Sequence, residues 1–337
     1  MGPYRRAALG AFGLVAIAAA AMALAGANPV DGFAALVRGA LGGPREVSET
    51  LVQTTALLFP ALAVAFAFRA GLFNIGAEGQ LVIGGLAAGV VGAALRAPGL
   101  VAIPAILCAG AVGGAIWGGI AGALRAKFGG NEVIATLMLN FVATLLASYL
   151  VAGPLHSGDA QSAETAELPP ASWLPALVPD TRLTVALVIG LALVAALAYV
   201  LERTVFGYEL RAAAQAPEAA RRAGIDLGRT ALLTLTLSGA IAGLGGATLV
   251  TGVLHRFNVA LSPGYGFIAI AVALVGGLDP LRIVLAAFAF GILQSGSLTM
   301  QSLAHVPKDV VTFIEGLAIV ALAARRHVTA KRAPART

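Results

Sequence analysis

The sequence predicts an all-α, polytopic membrane protein of about ten transmembrane helices (eight to ten), and three observations carry that prediction. Hydrophobic residues make up 59% of the 337 residues and charged ones 11%, with a mean hydropathy of +0.90. A soluble domain is roughly 45–50% apolar and about 25% charged. This chain has too few charged side chains to cover a globule and too much apolar surface to stay disordered, so a soluble enzyme is excluded. The apolar residues also come in unbroken runs such as Leu183 to Leu201, not in the alternation of a membrane β-barrel. Finally, 42 residues are glycine, about one in eight against a usual 7%. In lipid, small residues let helix backbones approach closely, so a dense bundle is expected.

A span needs roughly 17–25 mostly apolar residues. Ten runs are candidates, at about 7–27, 48–68, 80–95, 100–123, 132–152, 183–201, 230–252, 265–277, 282–298 and 308–324. The third, eighth and ninth are short, and the segments near 71–95 and 265–298 read either as full spans or as broken, re-entrant ones. The first has a rival reading. Arg5 and Arg6, an apolar run and Ala25-Gly26-Ala27 also describe a cleaved signal peptide. Its run of about 20 residues exceeds the usual 7–15-residue core of such peptides, which favours a retained span.

Together the runs give one transmembrane domain over 1–337 with two long loops. Residues 153–182 carry Pro154, Pro169, Pro170, Pro175 and Pro179 and are net acidic, whereas 202–229 are strongly charged. With both termini cytoplasmic and 202–229 inside, the outer basic residues are Arg38, Arg45, Arg96, Arg182, Arg256 and Lys308. The other 16 of the 22 fall inside, the bias of an even-spanned chain. The net charge of +6 is therefore topology information and implies no nucleic-acid partner.

No catalytic or metal site is expected. None of Lys127, Lys308 and Lys331 follows a glycine, so there is no Gly-Lys-Ser/Thr phosphate loop. The four histidines form no His-Glu-x-x-His motif, and no Gly-x-Ser-x-Gly elbow occurs. Cys108 has no disulfide partner in the chain and reads as a packing residue.

Polar residues inside the spans stand out, because a polar group in hydrocarbon needs a partner or a watery path. The fifth span carries Glu132, Thr136, Asn140, Thr144 and Ser148, four apart. Each step of four advances about 40° around the helix, so they form one slowly turning stripe. It reads either as helix-to-helix hydrogen bonding or as the lining of a path, with Asn140 facing a central cavity. Asn74, Glu78 and Gln80 form a second group, where Gly71, Gly76 and Gly79 permit irregular backbone at membrane depth. It reads as path lining or as an interfacial cap on the third span. Glu315 is expected to pair with a neighbouring helix. Gly110, Gly114, Gly118 and Gly122 form a packing ridge.

In the charged loop, Pro217 suits a first helical position and Gly224 the left-handed residue just past a helix end. Glu218 and the pair Arg221 and Arg222 complement the helix dipole. A helix this short is marginal alone; it reads either as a solvated loop helix or as one that docks into a partner.

These segments resemble a known family. Glu209-Leu210-Arg211-Ala212, then Pro217-Glu218-Ala219-Ala220-Arg221 and Gly224-Ile225, resemble the coupling-helix loop of ABC importer permeases. Asn74-Ile75-Gly76-Ala77-Glu78-Gly79-Gln80 is similar to the Asn-Ile-Gly-x-Glu-Gly-Gln stretch of permeases for nucleosides and simple sugars, relatives of branched-chain amino acid and ribose permeases. Gly129 to Ile134 with Leu139-Asn140 is a third matching segment, and the likeness runs from about 48 to 324. It implies a non-catalytic subunit in a bacterial plasma (inner) membrane. Its partners would be a cytoplasmic ATPase that binds the ATP, a second permease, identical or different, and an extracytoplasmic solute-binding protein. The chain itself would need no cofactor. Coupling would fall to Glu209, Arg211, Pro217, Glu218, Ala219, Ala220, Arg221 and Gly224. The path would take Asn74, Glu78, Gln80, Thr136, Asn140 and Thr144. The alternative is a proton-coupled carrier using Glu78, Glu132 or Glu315.

Overall fold

A computed structural model describes residues 3–158, 163–314 and 316–317. Its helices run α1 (Pro3–Leu24), α2 (Pro29–Leu41), α3 (Pro44–Arg69), α4 (Ala77–Ala94), α5 (Gly99–Phe128) and α6 (Glu132–Ala152). They continue with α7 (Ala186–Arg203), α8 (Val205–Gln215), α9 (Pro217–Arg222), α10 (Leu227–Leu249), α11 (Tyr265–Gly276) and α12 (Pro280–Leu303). A π-helical turn, Val250–Leu254, extends α10. Among the described residues, β-structure is limited to two isolated bridges, so the all-α expectation holds.

Eight described helices are long and apolar enough to cross a membrane, or nine if the bent pair Val15–Leu24 and Pro29–Leu41 is one span. Of the expected last span at 308–324, Glu315 and residues 318–324 lie outside the described residues. The fifth expected span coincides with α6. The fourth was expected to stop at 123, but α5 runs on to Phe128 and ends at Gly129 with φ 62°. Arg125 and Lys127 in the last turn suit a helix C-terminus, so the helix outlasts its apolar stretch.

Helix α2 was not anticipated. Its signals are local: Asn28 accepts the Val30 N–H at 3.0 Å, Pro29 opens the helix, and Asp31 and Arg38 sit at the ends their charges favour. Its 13 residues reach only about 20 Å, too short to span, and it turns away from α1 by 115°.

The chain divides into two compact units, Met1–Thr54 with Phe288–Thr337, and Thr55–Ala287. In the first, α2 lies against α12. The Ser295 hydroxyl donates to the Gly39 carbonyl at 3.2 Å, and the Thr50 hydroxyl of α3 donates to Ala40 at 2.8 Å. Met22, Ala35, Met300 and Val306 form its buried apolar cluster.

In the second unit the core is α4, α5 and α10. The expected glycine ridge packs on α10. A Cβ at Gly110 would lie 3.0 Å from the Gly243 carbonyl, and one at Gly122 3.0 Å from Leu232 Cα. The loop after α6 is laced to the turn after α10. Thr165 N–H donates to Phe257 at 2.9 Å, Leu168 N–H to His255 at 2.8 Å and Leu174 N–H to Thr251 at 2.9 Å. Arg256 bridges Glu164 at 2.6 Å and Glu167 at 2.9 Å.

Candidate functional site

After α3 ends, Gly71 turns the chain with φ +75°, and residues 72–75 have no regular structure before α4 opens at Ala77. The segment does not lie on the end of the bundle. Its partners are Ser238, the twelfth residue of α10, and Asn140, the ninth of the 21 in α6, so it re-enters the interior. Irregular backbone at such depth survives only where other protein groups satisfy it.

Asn74 is fully buried and is the hub. Its Nδ2 donates to Gln80 Oε1 at 2.9 Å and to Ser238 Oγ at 2.7 Å. Its Oδ1 accepts the Gly76 N–H at 2.9 Å and Gln80 Nε2 at 3.2 Å. All four hydrogen-bonding positions of the amide are thus occupied. The Ser238 hydroxyl donates in turn to the Ala63 carbonyl at 2.6 Å, which ties in α3.

Asn140 supplies what the broken backbone lacks. Its Oδ1 accepts the Gly79 N–H at 2.8 Å, and its Nδ2 donates to the Ile75 carbonyl at 2.8 Å. Thr136 Oγ1 accepts the Ile75 N–H at 3.2 Å. A Cβ at Gly79 would sit 3.0 Å from Asn140 Cα, so only glycine allows the two helices this close.

Glu78 faces the start of α11. Its Oε2 accepts the Gly266 N–H at 2.7 Å, and the Ser262 side chain and the Gly264 backbone are also hydrogen-bonded to it. A carboxylate here caps the N-terminus of α11 and meets its positive dipole end. Five helices, α3, α4, α6, α10 and α11, therefore converge on one polar junction.

The structure brings Asn74, Glu78, Gln80, Thr136 and Asn140 together but not Thr144. The stripe expected along α6 splits. Buried positions follow 136, 140, 143, 147 and 151, mixing steps of three and four. A strict step of four drifts off that face. Thr144 is exposed and donates to the Asn140 carbonyl of its own helix at 3.1 Å, and Ser148 does the same to Thr144 at 2.8 Å. Asn140, expected to face a cavity, is instead buried with both ends of its amide on the 75–79 backbone. Glu132 opens α6 and pairs with Arg125 at 3.4 Å. Sequence reading missed Ser238, Ser262 and Gly266. Ser262-Pro263-Gly264 did carry a helix-start signal, but nothing local linked it to Glu78.

At the other candidate site, α9 is capped at both ends as its sequence predicts. Pro217 is at the first position. Gly224 lies at φ +89°, with the Ile225 N–H bonded to Ala220 at 3.0 Å and the Gly224 N–H to Arg221 at 3.1 Å, the closure of a Schellman motif. Pro217, Glu218, Ala219, Arg221 and Gly224 are exposed, Glu209 is half-buried and Ala220 is buried. Glu218 and Arg221 approach to 3.5 Å in water, which contributes little stability. Arg211 points back and donates to the Leu201 carbonyl at the end of α7. The preceding helix, α8, was not anticipated; Thr204 caps it by accepting the Gly207 N–H at 3.1 Å.

A family described as the permease component of branched-chain amino acid transport systems matches residues 47–323. The chain belongs to this permease family. The permease is 36% identical over 321 residues to the glucose ABC transporter permease protein TsgB13 of Haloferax volcanii, covering 92% of this chain and 84% of the relative. It is 35% identical over 313 residues to the guanosine ABC transporter permease protein NupP of Bacillus subtilis, covering 92% and 90%. It is 32% identical over 310 residues to the nucleoside ABC transporter permease protein NupB of Lactococcus lactis, covering 89% and 85%. Each of these two bacteria has a second matching permease of the same description, NupQ at 29% and NupC at 27% identity. No solved structure matches the chain. The permease is thus a multi-pass membrane protein and the non-catalytic component of an ABC transport system. Nothing in this membership favours a proton-coupled carrier.

Proposed function

We propose that this permease is one subunit of a plasma-membrane ABC importer for nucleosides or related sugars. The names of its relatives carry the solute class. The observation that carries the mechanism is α9: a doubly capped helix of six residues whose polar face is left in water. A helix so short gains little by itself, and this one is exposed where an ATPase groove would receive it. Glu218, Ala219 and Arg221 form the docking face, Pro217 and Gly224 fix its ends, and Glu209, Arg211 and Ala220 hold it to the permease. Both termini and 202–229 are cytoplasmic, and 153–182 face the solute-binding protein.

The second permease is a different chain in this reading. Greater likeness to NupP and NupB than to NupQ and NupC supports a heterodimer in which this chain takes the former's place. Asn74, Glu78, Gln80, Thr136 and Asn140 shape the path from behind, by fixing the broken backbone of its wall, and Thr144 lies beside them on α6. ATP is bound by the ATPase alone.

The test is charge reversal in the complete, co-expressed transporter. Glu218→Arg or Arg221→Glu should abolish uptake of guanosine and glucose probes while the permease still inserts and the complex still forms. Normal uptake in the double reversal, with intact expression, would overturn the coupling assignment.

A further inference from the structure

We propose that the contact between Gly71 and Ala214 is where movement of α8 and α9 enters the buried polar junction, which makes these two residues positioning residues for transport. The inference rests on the coupling role proposed for α9.

Three observations meet at this point. First, α8 is held at its start and its middle. Thr204 caps it, Arg211 is bonded to the end of α7, and Phe206 lies against Phe66 of α3 with ring centroids 6.4 Å apart. Its far end, Ala214, comes three residues before Pro217, across the break at Ala216 (φ −146°, ψ 72°). A push on α9 is therefore delivered to Ala214.

Second, Ala214 meets backbone. A Cβ at Gly71 would lie 3.1 Å from Ala214 Cα and 3.2 Å from Ala214 Cβ. Main chain rests on main chain here, with no long side chain to absorb a displacement by changing rotamer. Gly71 is exposed and Ala214 half-buried, so it is the close approach of two short residues, not burial, that passes a displacement on.

Third, Gly71 is three residues from Asn74, whose amide is fully committed to Gly76, Gln80 and Ser238. A shift of residues 71–74 cannot be taken up by breaking a spare bond. It must move the start of α4, and with it Asn140 and the Glu78 cap on α11.

The experiment reads the segment itself and needs no solute. Phe73 is 54% exposed and outside the junction, so Phe73→Cys in a Cys108→Ala background reports on it by its maleimide labelling rate. In the assembled complex in proteoliposomes, this rate should change about fivefold or more between the nucleotide-free and the ATP–vanadate-trapped states, the lower range of ordinary coupling between sites. Gly71→Ala, which wedges a methyl into the contact, should remove most of that change while co-purification with the ATPase persists.

Gly71→Ala also strains a positive φ, so Ala214→Val is made in parallel; it wedges the same contact from α8 and leaves residue 71 untouched. No change in labelling on trapping in the reference complex would overturn the inference. So would a full change in assembled Ala214→Val. Glu218→Arg with Arg221→Glu separates the two levels. If that reversal abolishes the change and the contact variants do not, only the Gly71–Ala214 assignment falls. If the reversal leaves both the change and uptake intact, the coupling role of α9 falls.

Discussion

Helices α4 and α6 are both apolar spans carrying an amide and a carboxylate, with hydroxyls on α6 only, yet they solve the problem of polarity in lipid differently. Over its most apolar stretch, α4 is 67% buried and α6 only 22%. On α4, Gln80 bonds to Asn74, and Glu78 to the start of α11. On α6 the exposed Thr144 and half-buried Ser148 bond to their own helix, one turn back, while the buried Thr136 and Asn140 reach across to the 75–79 backbone. A hydroxyl can satisfy itself locally and tolerate a lipid-facing position. An amide or carboxylate has too many groups for that and requires neighbours. The residue type thus decides which face of a span a polar side chain can occupy.

The largest effect that would sharpen this contrast is Asn74→Leu. It orphans the Gly76 N–H and both ends of the Gln80 amide, at about 1–3 kcal/mol for each buried group left unpaired. The complex should lose about 3 kcal/mol or more, read as thermal stability after purification. Survival at normal stability would show that water replaces the amide. Asn140→Leu should come next. It strands the Gly79 N–H and the Ile75 carbonyl, and intramembrane bonds reach about 1.7 kcal/mol at most in double-mutant cycles. Uptake has to be measured beside stability, because lost uptake at unchanged stability would return Asn140 to solute contact. Thr144→Val should be the smallest, within about 0.5 kcal/mol as for an exposed substitution. A loss as large as that of Asn140→Leu would erase the distinction between the two helices.

Much of the junction was legible because its signals are local. Three glycines around Asn74 announced broken backbone, and the step of four on α6 led to Thr136 and Asn140. The same step grouped Thr144 with them, but about 40° of drift per step carries it off the buried face, which the structure follows with mixed steps of three and four. Span hunting by apolarity found the long helices and passed over α2 and α8, whose evidence lay in caps such as Asn28 and Thr204. Ser238 and Gly266 were illegible in principle. They lie 164 and 188 residues from the side chains they serve, beyond the reach of any periodicity or spacing.

That separation bears on how the chain is made. A ribosome adds about 5–20 residues per second, so the 164 residues between Asn74 and Ser238 take on the order of 8–33 seconds to appear. During that interval α4 is in the insertion machinery or the bilayer, with Asn74 lacking Ser238 and Glu78 lacking the start of α11. Asn140, only 61 residues beyond Gly79, arrives first and serves as the early clasp, so the nascent half-protein is held by α6 until α10 and α11 are delivered. An insertion factor or chaperone would meet its neediest client between the synthesis of α6 and that of α11. A variant lacking the Asn140 amide would then be degraded in cells more severely than its stability after purification predicts.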